Sequence, residues 1–263
     1  SVCDLLGKHP GVFMSDPMEI HYFGREDPDK TRSWYEGHFD GVDHESAVGE
    51  GSTSYTHPHI IEACATEISS FLPEARLIYM VRHPIRRLES DWRMRKHEGW
   101  APDGSINDAV REPDTTLIRH GMYWKNLSVY RRHFRDDQIL VVFLEDFSRS
   151  PQRELRRCFS HIGVDTDVSV QDAHEPRNRS SDFRRDRMLG EWLRRGGMVR
   201  WARELFPDRL FSVGKQILTE PDRYPVEWKA DTKRRVAREV EEDSRRLLEY
   251  CGKPGDFWSF PAR

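Results

Sequence analysis

Residues 77–92, LIYMVRHPIRRLESDW, constrain the fold more tightly than any other stretch of the chain. Leu77, Ile78, Tyr79, Met80 and Val81 form an unbroken apolar run of strand length, the pattern of a strand covered on both faces of a parallel sheet. Arg82 follows at the carboxyl end, and His83-Pro84 turns the chain into a basic amphipathic helix. Proline suits the first helical position, where an N–H would have no helical partner. Arg86 and Ser90 then fall one turn apart on the helix. Open α/β sheets bind ligands beyond the carboxyl ends of their strands, where helix N-termini and arginines neutralise an anion. The stretch therefore predicts a phosphate site, with Arg82 on the strand side, Ser90 on the helix and Arg86 as a third donor. Taken alone, it also fits a structural reading, with Arg82 as a cap or salt-bridge partner and Ser90 bonded back to its own helix.

The flanking sequence extends the same architecture. Residues 60–72 predict an amphipathic helix, and Pro73-Glu74-Ala75 leads from it into the strand, an order that implies a crossover in a parallel sheet. Residues 139–144, ILVVFL, read as a second buried strand, and Ser150-Pro151 opens another helix that runs to about residue 163. Apolar spacing predicts one continuous helix over residues 117–134 and a long charged one over 227–251. No Gly/Ser-rich or Pro-rich linker divides the chain, so residues 1–263 read as a single domain. A net charge of -3 argues against general nucleic-acid binding. The four cysteines, Cys3, Cys64, Cys158 and Cys251, lie far apart without metal-ligand spacing, which predicts no metal site and a reducing compartment. No apolar run approaches the length of a membrane span, and no signal peptide opens the chain as given.

The string R-x-P-x-x-R-x-x-S-x-W in residues 82–92 closely resembles the 3′-phosphate-binding motif of sulfotransferases that use 3′-phosphoadenosine 5′-phosphosulfate (PAPS). The resemblance runs from about residue 2 to about residue 165. It implies an α/β fold, a P-loop-like three-layer domain with a central parallel sheet flanked by helices. It also implies that Arg82 and Ser90 grip the 3′-phosphate and that PAPS is the co-substrate, leaving as PAP. The family's K-x-G-T-T/S segment, whose backbone and lysine hold the 5′-phosphosulfate, has no counterpart in the sequence. Pro17-Met18-Glu19-Ile20-His21-Tyr22-Phe23 resembles a family segment whose glutamate is the proposed general base, which makes Glu19 the base and His21 its rival. Residues 47–55, AVGEGSTSY, resemble a strand-end segment written E-K-S/T-x-x-Y, with Gly51 where heparan-type enzymes carry lysine and Tyr55 at the tyrosine. The departure at Gly51 points away from a heparan-like acceptor and towards the bacterial branch; with the reducing compartment read from the cysteines, the expected location is cytoplasmic. Gly51, Tyr55 and Tyr123, the last in a G-x-Y segment, are the candidate acceptor-site residues. Arg177 and Arg179, in an arginine-rich stretch, are candidates for closing over the nucleotide. The resemblance thus implies sulfuryl transfer to a hydroxyl of a carbohydrate, lipid or natural product, with no metal, no nucleic acid and no membrane span. The competing readings are a P-loop small-metabolite or nucleotide kinase, which should show G-x-x-x-x-G-K-S/T, and a non-catalytic PAP- or PAPS-binding relative.

Overall fold

The apolar runs that predict strands do form them, and the alternation of their side chains builds the layers. In the computed structural model, residues 2–25, 27–100, 104–113, 115–171 and 224–261 are described. Arg177 and Arg179 lie outside them. Strands β1 (Val12–Met14) and β2 (Ala47–Gly49) pair in parallel, with Val12 opposite Ala47. Strands β3 (Leu77–Val81) and β4 (Ile139–Phe143) form a second parallel ladder, with Leu77 opposite Ile139 and Val81 opposite Phe143.

Successive side chains on a strand point to opposite faces. Leu77, Tyr79, Val81, Ile139, Val141 and Phe143 accordingly pack into one core with helix α3 (Ile61–Phe71), helix α7 (Tyr123–Tyr130), the end of helix α10 (Ala230–Tyr250) and Trp258. Ile78, Met80, Leu140 and Val142 face the other way. They meet helix α1 (Val2–Leu6) and helix α9 (Pro151–Ile162) in a second core that also takes Val12, Met14 and Ala47 from the first ladder. A third cluster holds helix α4 (Pro84–Glu98) against α5 (Ile106–Ala109), α6 (Thr116–Arg119) and α10. The short helices α2 (Arg32–Glu36) and α8 (Leu144–Arg149) complete the described helices. None of these helices is long and apolar enough to cross a membrane.

The sequence expectations are met at most boundaries and missed at one instructive place. Gly99 and Gly163 end α4 and α9 in the left-handed conformation that favours glycine, φ 73° and 79°. The continuous helix expected over 117–134 is instead broken into α6 and α7. Gly121 stands at the break, where a Cβ would lie 3.3 Å from both the Ile118 carbonyl and Pro84 Cβ. Beyond it the Asp243 carboxylate accepts the N–H groups of Trp124 (2.9 Å) and Lys125 (2.8 Å), which gives α7 a new N-terminus. Strand β3 is covered on both faces as its apolar run predicts, with Leu77, Tyr79 and Val81 in the first core and Ile78 and Met80 in the second. Among the described residues β3 pairs with β4 alone. Apolar composition reports covered faces and says nothing about a covered edge.

Candidate active site

At the β3–α4 junction the local sequence fixes the backbone first. His83 caps α4, its Nδ1 accepting the Ile85 N–H at 3.2 Å, and the His83 N–H donates to Glu145 Oε1 at 2.7 Å. This holds Arg82 half-buried, its own N–H 3.4 Å from the Tyr123 hydroxyl. The Arg82 guanidinium has no hydrogen-bond partner among the described residues. Burial pulls its pKa below the ordinary arginine value, opposed by Tyr123 and Glu145 and reinforced by Arg87 and Arg86. Arg87 is half-buried too, its guanidinium also without a hydrogen bond among the described residues. Ser90 is half-buried, and its hydroxyl makes no bond back to the helix. Two neighbouring cationic groups are thus left open near the carboxyl end of β3, and paired N–H groups of this kind take an anion.

Asp91 anchors the same helix from beneath. Its carboxylate accepts His120 Nδ1 at 2.8 Å and Arg95 Nε at 3.1 Å, with the Asp91 and His120 side chains 2% and 5% exposed. Burial alone would raise the Asp91 pKa; the His120 hydrogen bond, the Arg87 charge and Arg95 outweigh it and hold the carboxyl well below the usual range. His57 stacks on His120 at 4.9 Å. Burial, with His120 and His59 beside it, lowers the His57 pKa to about 4.

His57 ends a segment, residues 50–57, that carries the second polar cluster. A 3-10 turn over Thr53–Thr56 brings Thr53 against Glu19, whose Oε2 accepts the Thr53 hydroxyl at 2.8 Å and its N–H at 3.4 Å. His21 Nε2 lies 3.3 Å from the same oxygen, and His21 Nδ1 meets the buried Ser54 hydroxyl at 2.7 Å. Glu19 Oε1 has no partner among the described residues, and the side chain is 43% exposed. His21 has φ 54°, a left-handed conformation uncommon for a residue with a Cβ. Its N–H donates to Ser52 Oγ at 2.8 Å, and the Tyr22 N–H donates to the Tyr55 hydroxyl at 3.2 Å. Both hydroxyls donate in turn to Glu50, Ser52 to Oε2 and Tyr55 to Oε1 at 2.7 Å, with Tyr35 adding a third at 3.3 Å. Burial first, and the Glu50 charge second, push the Tyr35 and Tyr55 phenols above their ordinary range.

A family model described as the sulfotransferase family matches residues 7–168. The chain belongs to the sulfotransferase family. It is 26% identical over 192 residues to the human heparan sulfate glucosamine 3-O-sulfotransferase 3B1, covering 70% of this chain and 47% of that protein. To the mouse heparan sulfate glucosamine 3-O-sulfotransferase 3A1 it is 27% identical over 190 residues, covering 70% and 47%. This sulfotransferase-family chain therefore spans about half the length of these relatives. The crystal structure of a sulfotransferase from Alicyclobacillus acidocaldarius superposes with a TM-score of 0.64 at 19% identity, over 96% of this chain and 90% of that one. That likeness shows the α/β fold.

Within this family fold the sequence-predicted residues divide. Glu19 and His21 come together at the 3-10 turn; Arg82 stands at the end of β3, and Ser90 is half-buried in α4. Arg86 lies near enough for its charge to act on Arg82, but its side chain is 69% exposed and pairs with Glu89 at 3.2 Å. The spacing R-x-P-x-x-R counts to Arg87, so the inward arginine is readable from the string itself. Tyr55 points at Glu50. Tyr123 is buried between Tyr79 and Trp258, its phenol pushed up to about 12 by burial, and among the described residues its hydroxyl meets only the backbone N–H of Arg82. Gly51 has a packing reason to be glycine, because a Cβ there would collide with Cys3 Sγ. Sequence reasoning missed Asp91, His120 and the convergence of hydroxyls on Glu50: the His120 and Tyr35 contacts join residues 29 and 15 positions apart, and the local Ser52 and Tyr55 contacts depend on how the chain turns after β2.

Proposed function

We propose that this sulfotransferase-family chain transfers a sulfuryl group from PAPS to a hydroxyl of an acceptor and releases PAP. The observation that carries the reading is the pair of neighbouring half-buried arginines, Arg82 and Arg87, whose guanidiniums make no hydrogen bonds among the described residues, with a half-buried Ser90 further along α4. A 3′-phosphate supplies the charge and acceptor oxygens that these donors lack, and arginine grips phosphate through paired N–H groups. Arg86, held by Glu89 on the surface, takes no part.

Glu19 serves as the general base. An ionised carboxylate only accepts hydrogen bonds, so His21 turns a protonated Nε2 to Glu19 and receives the Ser54 hydroxyl at Nδ1. Both ring nitrogens are then engaged, and Glu19 Oε1 is the open acceptor. In the transfer the acceptor oxygen bonds to sulfur as the sulfur–oxygen bond to PAP breaks. The hydroxyl proton passes to Glu19, and the leaving electron pair stays on the PAP phosphate oxygen. In-line displacement of this kind depends on positioning and on neutralising developing charge. A sugar hydroxyl is the first acceptor class to test, since the named relatives act on glucosamine of heparan sulfate.

Calorimetry with PAP and with adenosine 5′-phosphosulfate tests the donor assignment. Arg82→Ala should weaken PAP about ten- to hundredfold while changing adenosine 5′-phosphosulfate little, the scale of one charge-assisted contact. Equal losses for both ligands would overturn it, and binding of ATP in preference to PAP would favour a kinase.

A further inference from the structure

We infer that Glu50 is a positioning residue for the Glu19–His21 pair, acting through two hydroxyl relays. This rests on the reading of Glu19 as the base. The segment to be held is difficult, because His21 sits at φ 54°, a conformation that persists in a non-glycine residue only when the surroundings fix it. Its backbone N–H groups find no secondary-structure partner. They are taken by side chains, His21 N–H by Ser52 Oγ at 2.8 Å and Tyr22 N–H by the Tyr55 hydroxyl at 3.2 Å.

A hydroxyl has one proton to give. Ser52 and Tyr55 could each turn that proton towards the backbone or towards another group, and only in the second case do they present a lone pair to the N–H. Glu50 decides the matter by accepting both protons, one on each carboxylate oxygen. Its two oxygens therefore command two adjacent backbone amides, at one residue's remove each. Lys30 completes the clasp from the opposite side, its ammonium 3.5 Å from the Ile20 carbonyl and 3.4 Å from that of His21. With the backbone of residues 20–22 fixed, His21 directs Nε2 to Glu19 and Nδ1 to Ser54. Glu50 touches neither Glu19 nor His21 by a side-chain bond, so its influence runs through the relays.

Amide hydrogen exchange read by NMR separates the arms. Ser52→Ala should speed exchange at His21 about tenfold or more and leave Tyr22 protected, while Tyr55→Phe should do the reverse, the scale of one lost hydrogen bond. Glu50→Ala should expose both amides, lower kcat for PAP release from PAPS about tenfold or more, and keep the KM for PAPS and the Kd for PAP within about twofold. Should Glu50→Ala fail to fold, the single-arm variants carry the same test. Unchanged exchange at both amides, or a uniform rise along the chain, overturns the relay. Faster exchange with full turnover reduces Glu50 to a loop support and overturns the positioning role. Glu19→Gln should cut turnover sharply with both amides still protected; full turnover in that variant refutes the base assignment while the exchange results still stand for the relay.

Discussion

Replacing Asp91 by alanine is the sharpest test of how α4 is held. The side chain is 2% exposed and binds two donors of unequal standing. Arg95, 28% exposed, can turn to water when the carboxylate is gone, whereas His120, 5% exposed, cannot. The cost therefore falls mostly on a buried ring nitrogen left without its acceptor, in a ring whose Nε2 already has no partner among the described residues. Leaving a buried donor without its acceptor costs about 1–3 kcal/mol, which for a chain of this size lowers Tm by roughly 2–12 °C. The pH dependence has a definite sign. A carboxyl held below its ordinary pKa contributes in full above the unfolded value, 3.8, and loses that contribution as pH falls further. The gap between wild type and Asp91→Ala should thus be the same at pH 7 and pH 5 and narrow only below about pH 3.8. Urea denaturation at several pH values measures it. A difference under about 1 kcal/mol at pH 7 would refute the buried-pair argument. A gap closing between pH 7 and pH 5 would put the titrating group on a histidine instead.

His57→Phe should flatten the loss of stability between pH 6.5 and about 4, because the native state resists protonation there while the unfolded chain accepts it; acid denaturation curves of the two proteins show this directly. Gly51→Ala should destabilise by about 1–3 kcal/mol, with much of the loss recovered in the Cys3→Ala background, since the added Cβ meets the Cys3 sulfur; thermal melts of the single and double variants decide it. Glu19→Gln should lower turnover about 10²- to 10⁴-fold with PAP affinity kept, whereas the same kinetics for His21→Asn alone would exchange the two roles.

The architecture was legible because it follows from local periodicity. An apolar run ending in Arg-His-Pro specifies strand, turn and helix within a few residues, and the structure places β3 and α4 there. The break at Gly121 was not legible, since it is set by Pro84 and Asp243, distant in sequence and close in space. Glycine in a helical pattern carries a modest cost and does not announce that a carboxylate will start a new helix beyond it.

The candidate site divides along the same line. Arg82 ends one strand and Ser90 sits in the helix that follows, so both positions were readable from the local pattern. Arg86 and Arg87 are adjacent, and the one-turn spacing to Ser90 favours Arg86, the neighbour that the fold turns away. Their environments differ because the positions differ by about 100° around a helix: Arg86 is exposed and paired with Glu89, while Arg87 is half-buried and its charge is felt by Asp91 and His57. Neutralising each in turn tests whether direction or the mere presence of charge matters. Arg86→Gln should change PAP affinity less than about twofold, because the exposed guanidinium is engaged by Glu89. Arg87→Gln should weaken PAP about tenfold or more, although Arg86 still supplies a cation one position away. Arg87→Lys should recover only part of the loss, since a single ammonium keeps the charge without the paired N–H groups that match a phosphate. Calorimetry on the three variants separates the cases. Equal, small losses for Arg86→Gln and Arg87→Gln would mean that the cradle needs only a nearby positive charge, and that the inward geometry of Arg87 carries nothing.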